Sequence, residues 1–285
     1  LTATVTCDDD AEVEARLTVS DGVNPPVTVV AHVHVANAAP SVTGLSVPVT
    51  PVPVGTPITV SATFTDPGAN DTHTALVAWG DATTSPAAVN QATGSATASH
   101  AFTAAGTYTV TLTLSDDDGG TATATAATYV VVYDPSAGFV TGGGWIETPG
   151  GSLTPGDATD PDLTGRANFG FVARYQPNAT VPSGSTEFNL KVASINLKST
   201  SYSWLVVTGQ GTKAIYVGTG TVNRSGSYGF LVSVIDGRSS GEPDRFRIRI
   251  WDLATGSVLI DTQPAAPDDA PAALAISGGS IVIHT

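Results

Sequence analysis

Carboxylates gathered at turns are the first chemistry this chain offers. Asp8-Asp9-Asp10 and Asp116-Asp117-Asp118-Gly119-Gly120 concentrate acids where strand-like stretches reverse. Calcium takes about six to eight oxygen ligands, and aspartates on flexible loops supply several of them. Neighbouring residues of an extended chain point to opposite faces, so at most two of three consecutive acids converge. In the second run those are Asp116 and Asp118. Neither run has EF-hand spacing, and the plain alternative is a solvated turn. A further loop runs Asp236-Gly237-Arg238-Ser239-Ser240-Gly241-Glu242-Pro243-Asp244. Asp236 and Asp244 flank its Gly-rich turn and are placed to face one another around calcium. The alternative there is a hairpin with aspartate caps and an Arg238 ion pair. Calcium at Asp116, Asp118, Asp236 and Asp244 is thus the cofactor expectation.

Other reactive residues point to little. His32 and His34 lie two apart on one strand face, but no third metal ligand accompanies them, so the favoured reading is a solvent face. Cys7 is the only cysteine, with no basic neighbour in sequence to lower its pKa. No Gly-x-Ser-x-Gly strand-to-helix elbow is found, with no helix predicted to support one, and His-Glu-x-x-His and phosphate-loop patterns are missing. Glu147, Glu187 and Glu242 are the only glutamates after residue 14, and none stands in a recognisable motif. No catalytic residue is expected, and an enzyme is the least favoured class. Trp145, Tyr175, Tyr202, Trp204, Tyr216, Tyr228 and Trp251 are candidates for a sugar-stacking surface. For Trp145, Trp204 and Trp251 a place in the core is favoured, because each adjoins strand-like apolar residues.

The elements that must carry these groups are strands. Val and Thr abound, Gly and Pro are scattered, and no stretch keeps helical apolar spacing. Ile58, Val60, Ala62 and Phe64 alternate onto one face, as do Tyr108, Val110, Leu112 and Leu114. Further strands are read at Ala75 to Trp79, Arg166 to Tyr175, Phe188 to Leu197, Trp204 to Thr208, Tyr228 to Ile235 and Phe246 to Trp251. Asn37-Ala38-Ala39-Pro40 reads as a linker. Ser280 to His284 is an apolar strand, either a donor to another copy or the last strand of its own sheet. No apolar run approaches the length of about 18 residues needed for a transmembrane helix.

The net charge of −14 is uneven: Arg16 is the only Lys or Arg before Arg166, while thirteen acids precede Phe139. Such a surface repels nucleic acid and anionic lipid, so neither nucleic-acid binding nor membrane insertion is expected. Arg16-Leu17-Thr18-Val19-Ser20-Asp21 lines up with Thr111-Leu112-Thr113-Leu114-Ser115-Asp116, a repeat of about 90 residues that points to tandem sandwiches.

The second copy resembles a PKD domain, an Ig-like sandwich. Phe64-Thr65-Asp66, Trp79-Gly80-Asp81, His100-Ala101-Phe102 and Ala105-Gly106-Thr107-Tyr108-Thr109-Val110-Thr111-Leu112 carry the likeness. Ala82 departs from it, standing where that family usually has a second Gly. Gly142-Gly143-Gly144-Trp145-Ile146 and Phe246-Arg247-Ile248-Arg249-Ile250-Trp251-Asp252 resemble a C-terminal domain that follows such repeats in secreted bacterial proteins. The expected fold is all-β: an incomplete PKD-like unit over 1–39, a PKD-like Ig sandwich over 40–136, and a sandwich or jelly-roll-like domain over 137–285. The resemblance implies an extracellular or cell-surface address, and calcium in some relatives. The expected function is a non-catalytic structural or adhesive one, a stalk or fibre subunit that meets other copies of itself or cell-surface proteins and is completed by their strands. The alternative is a polysaccharide-binding accessory region of a secreted hydrolase.

Overall fold

In the computed structural model, residues 10–154, 160, 162–208 and 211–285 are described. They are nearly all β. The Asp8-Asp9 pair and Cys7 lie outside them.

β1 (Ala11–Val19) and β2 (Val27–Val35) form a two-stranded antiparallel sheet. Its register sets Ala11, Val13, Ala15, Leu17 and Val19 opposite Val35, Val33, Ala31, Val29 and Val27. One face is therefore wholly apolar. The other carries Glu12, Glu14, Arg16, His32 and His34.

The chain continues through β3 (Ser41–Ser46), β4 (Val52–Pro53), β5 (Pro57–Thr65), β6 (His73–Ala78), β7 (Thr84–Asn90), β8 (Ser95–Ala101), β9 (Gly106–Tyr108), β10 (Thr111–Asp116), β11 (Thr121–Thr125) and β12 (Val130–Tyr133). Contacts divide the described chain into two compact units. The first takes the residues up to Thr50 with Pro57–Ala101 and Tyr108–Val130; the second takes Pro51–Thr56, Phe102–Thr107 and everything from Val131. The first unit holds a seven-stranded sheet in the order β11-β10-β6-β7-β8-β5-β3. β7 is shared: Thr84 to Ala87 pair with β6, and Ala88 to Asn90 pair with β8. The sheet folds over at β7 into two layers. Ring contacts between Phe64 and His73, and between Trp79 and His100, join them. Ile58, Val60, Ala62, Phe64, Val110, Leu112 and Leu114 are buried as their alternation requires. The strand read through Tyr108 is interrupted, with β9 ending at Tyr108 and β10 starting at Thr111.

The second unit includes a three-stranded sheet, β4-β12-β9, and a nine-stranded one. The latter comprises β13 (Phe139–Thr148), β14 (Gly165–Arg174), β15 (Ser183–Leu190), β16 (Ile195–Thr208), β17 (Lys213–Val222), β18 (Ser225–Ile235), β19 (Arg245–Asp252), β20 (Val258–Asp261) and β21 (Gly278–His284). Its order is β20-β19-β18-β17-β16-β15-β14-β13-β21, antiparallel at every pairing. Phe169 on β14 nevertheless stacks on Phe246 of β19 at 4.1 Å, five strands away in that order. The sheet is rolled, so its two halves face one another and a two-layered core arises from a single sheet. Phe188, Leu197, Tyr216, Phe230, Phe246 and Ile250 fill it.

A second strand also departs from the sequence reading. The strand read from Phe188 to Leu197 is two strands. A 3₁₀ turn at Lys191–Ala193 and Ser194 in the left-handed region (φ 52°) reverse the chain between them. In β13, the run of three glycines has a steric cause. A side chain at Gly142 would strike the Phe171 ring, and one at Gly144 the backbone of β21, while Gly143 faces outward.

Candidate functional site

β6 begins at His73, whose cross-strand partner on β10 is Asp116. This register brings the β5–β6 loop and the β10–β11 hairpin to the same end of the first unit. Carboxylate oxygens of Asp66, Asp71 and Asp116 lie within 4.8 Å of one another, and so do those of Asp71, Asp117 and Asp118. Asp71 belongs to both groups and is buried, as is Asp116. Glycines make the room: a Cβ at Gly68 would collide with the Asp71 carboxylate, and one at Gly120 with that of Asp116.

The protein answers part of this negative charge itself. His73 Nε2 donates to Asp66 Oδ2 at 2.9 Å, and Nδ1 donates to Gln91 Oε1 at 3.0 Å. Gln91 Nε2 bonds the His73 carbonyl at 2.9 Å, which fixes the amide's orientation. Both ring nitrogens therefore face acceptors, an arrangement that suits the imidazolium form. Burial opposes that charge most strongly, but the bonds to Asp66 and Gln91 and the attraction of Asp66 and Asp71 outweigh it, and the His73 pKa is raised. Asp116 is held below the usual carboxylate range, first by the Asn37 amide at 2.9 Å and then by backbone N–H groups of Gly120 and Asp118. Asp117 is lowered likewise, chiefly by the Thr72 N–H at 2.7 Å. The hairpin acids Asp116 and Asp118 thus stand in a larger cluster. Asp66, Asp71 and His73 were missed by the sequence reading, because nothing in their spacing reveals that β6 pairs with β10.

The calcium reading of Asp236 and Asp244 meets a different environment. Asp236 Oδ1 accepts from the Arg238 backbone N–H and Nε, and Oδ2 from Arg238 Nη2 and the Ile283 N–H. Asp244 accepts from Gly237 N at 2.9 Å and Ile281 N at 2.7 Å. All four oxygens serve the protein's own donors, as in the capped hairpin with an Arg238 ion pair. The N–H groups of Ile281 and Ile283 are those that β21 turns away from β13. The loop closes this sheet edge with carboxylates instead of a strand. Burial works against the Asp236 charge, yet the Arg238 and Ile283 bonds leave its pKa below the ordinary value.

Other candidates resolve plainly. His32 and His34 are exposed opposite Glu14 and Glu12, and His34 Nδ1 lies 3.0 Å from Glu12. His100 bonds Asp81 at 2.7 Å and stacks on Trp79. Trp204 is buried, but Trp145 and Trp251 are only half-buried, which corrects their assignment to the core. They lie against Arg166 and Arg249 respectively, because their strand positions place them on the outer face. Glu187 pairs with Lys198 at 3.0 Å. Ala82 takes the left-handed conformation (φ 68°) that a Gly would adopt freely, so the turn is kept despite the substitution. Ser280 to His284 falls within β21, the last strand of its own sheet.

Residues 37–132 match the family model for the PKD domain. No curated protein matches the chain. PKD domains are non-catalytic Ig-like modules, typically extracellular and often adhesive or structural. No helix among the described residues is long and apolar enough to cross a membrane.

Proposed function

We propose that this chain is a non-catalytic extracellular module, a stalk or fibre subunit of bacterial surfaces, whose copies join by strand complementation. One observation carries the reading. Leu17 and Val19 are 51% and 61% exposed, whereas Leu112 and Leu114, which align with them in the repeat, are 1% and 0% exposed. The same apolar pattern is covered in one copy of the repeat and bare in the other. Nine residues at about 3.3 Å on two strands about 4.8 Å apart make a face of about 300 Å². A stable interface needs about 800 Å² per partner. Flat docking of two such faces falls short, so the partner must also pair with a β1 or β2 edge, which is strand addition. Calcium belongs to the proposal at these acids, with Asp71 shared between Asp66 and Asp116 on one side and Asp117 and Asp118 on the other, stiffening the loops at that end of the first unit. Electron microscopy with mass measurement of the purified chain tests the assembly. Filaments are expected, and Leu17→Asp should disperse them. Single particles at high concentration would end the polymer reading.

The second reading, a polysaccharide-binding region, is favoured by the outer surface of the nine-stranded sheet.

A further inference from the structure

The outer face of β14, β15 and β16 carries a line of carboxamides. Asn168 lies directly opposite Asn189, and Asn189 directly opposite Asn196. With strands about 4.8 Å apart the line spans about 10 Å, close to the advance of two pyranose rings. One register step along lies a second row, in which Gly143 faces Gly170, Gly170 faces Glu187, and Glu187 faces Lys198. A Cβ placed on Gly170 would meet nothing within 4 Å, so the strand surface there is open where a side chain would fit. Between the two rows is a shallow depression of about 560 Å³ lined by Asn168, Gly170, Glu187, Asn189, Asn196 and Lys198.

The polar groups here are underused. Asn168 Oδ1 accepts one bond, from Arg166 Nε at 3.3 Å. Asn189 Oδ1 is shielded from water and finds no donor among the described residues. Each carboxamide offers an acceptor oxygen and two donor hydrogens without charge, which matches hydroxyls that both donate and accept. Lys198 is already paired with Glu187, so the depression adds no strong charge of its own to attract a polyanion. An extended peptide would seek an unpaired strand edge, and β14, β15 and β16 are paired on both sides.

We propose that this surface binds a neutral polysaccharide lying across β14, β15 and β16, with Asn168, Asn189 and Asn196 reading its hydroxyls and the open backbone at Gly170 seating a ring. The inference gives the adhesive reading a ligand and does not depend on polymerisation. A glycine inside a strand weakens it, so a larger residue at an open outward position should leave the fold intact or firmer. Gly170→Leu therefore separates access from stability.

The test is affinity electrophoresis of the full chain through gels containing, in turn, mixed-linkage β-glucan, arabinoxylan, galactomannan and polygalacturonate. Retardation by at least one neutral polymer is expected. Asn189→Ala and Gly170→Leu should each weaken it about tenfold, the scale of one or two hydrogen bonds, with the Tm of Gly170→Leu unchanged or raised. Retardation by polygalacturonate alone, by none of the polymers, or undiminished in both variants would overturn the inference. Filaments seen without retardation would remove this ligand and leave the structural reading standing.

Discussion

Arg247 is the sharpest energetic test of the nine-stranded sheet. Its side chain is fully buried, yet it carries a full charge. Nε and Nη2 grip the two oxygens of Asp261 at 3.1 and 2.9 Å, and the remaining donors reach the carbonyls of Pro267 and Ala266 at 2.6 and 3.0 Å. Asp261→Asn keeps the shape of the partner but removes its charge, leaving a buried guanidinium without a counter-charge. Breaking one side of a buried pair costs about 3–5 kcal/mol. In a unit of this size each kcal/mol moves Tm by about 2–4 °C, so the transition should fall by about 6–20 °C. Differential scanning calorimetry at pH 7 reads this directly. The double variant Arg247→Met/Asp261→Leu should recover much of the loss, because an apolar pair needs no desolvation of charge. It will not recover all of it, since the two carbonyls lose their donor. A fall below about 2 °C for Asp261→Asn would refute the idea that the pair is desolvated and mutually dependent.

Acid should open the clasp on β21. The Asp236 pKa is lowered on folding from its ordinary 3.8, so its contribution to stability is full above that value and is lost as pH falls through the folded pKa. Thermal melts from pH 6 downward should show Asp236→Asn less stable near neutrality and converging with the parent in strong acid. At the acidic loops of the first unit, calcium should raise Tm in a chelator-reversible way, and Asp71→Asn should abolish the rise; an equal rise in that variant would exclude Asp71 as a ligand. Gly142→Val should lose about 1–3 kcal/mol by driving a methyl into Phe171, read as a lower denaturant midpoint, while Gly143→Val, facing outward, should lose little.

The elements were legible where burial alternates cleanly. Ile58 to Phe64 reads as a strand because every second residue is covered on one side only. The turn at Lys191–Ala193 was passed over because Ser194 carries no turn signal of the Gly or Pro kind; the only trace of it is a change of phase, from Phe188 and Leu190 at even positions to Ile195 and Leu197 at odd ones. The aspartates show the same limit in the site. Asp116 and Asp118 stand out as a run, but Asp66 and Asp71 join them only through the pairing of β6 with β10, a contact made across more than forty residues. Asp236 and Asp244 look alike in sequence and are set apart by the backbone of Ile281 and Ile283, which no local pattern announces. The half-buried state of Trp145 and Trp251 reflects which face of a rolled sheet they occupy, and apolar neighbours in sequence do not reveal that.

Phe139 and His284 are cross-strand neighbours, stacked ring on ring at 4.2 Å, so the nine-stranded sheet is entered and left at one point. A pull applied between those two residues would not be shared along the length of β13 and β21. It would fall on the first rung of the ladder, then the next, as in opening a zip. Such a sheet yields rung by rung at low force, and extra length is released from its own strands. In a fibre under tension it would act as a sacrificial extension that gives way early and reseals when slack returns.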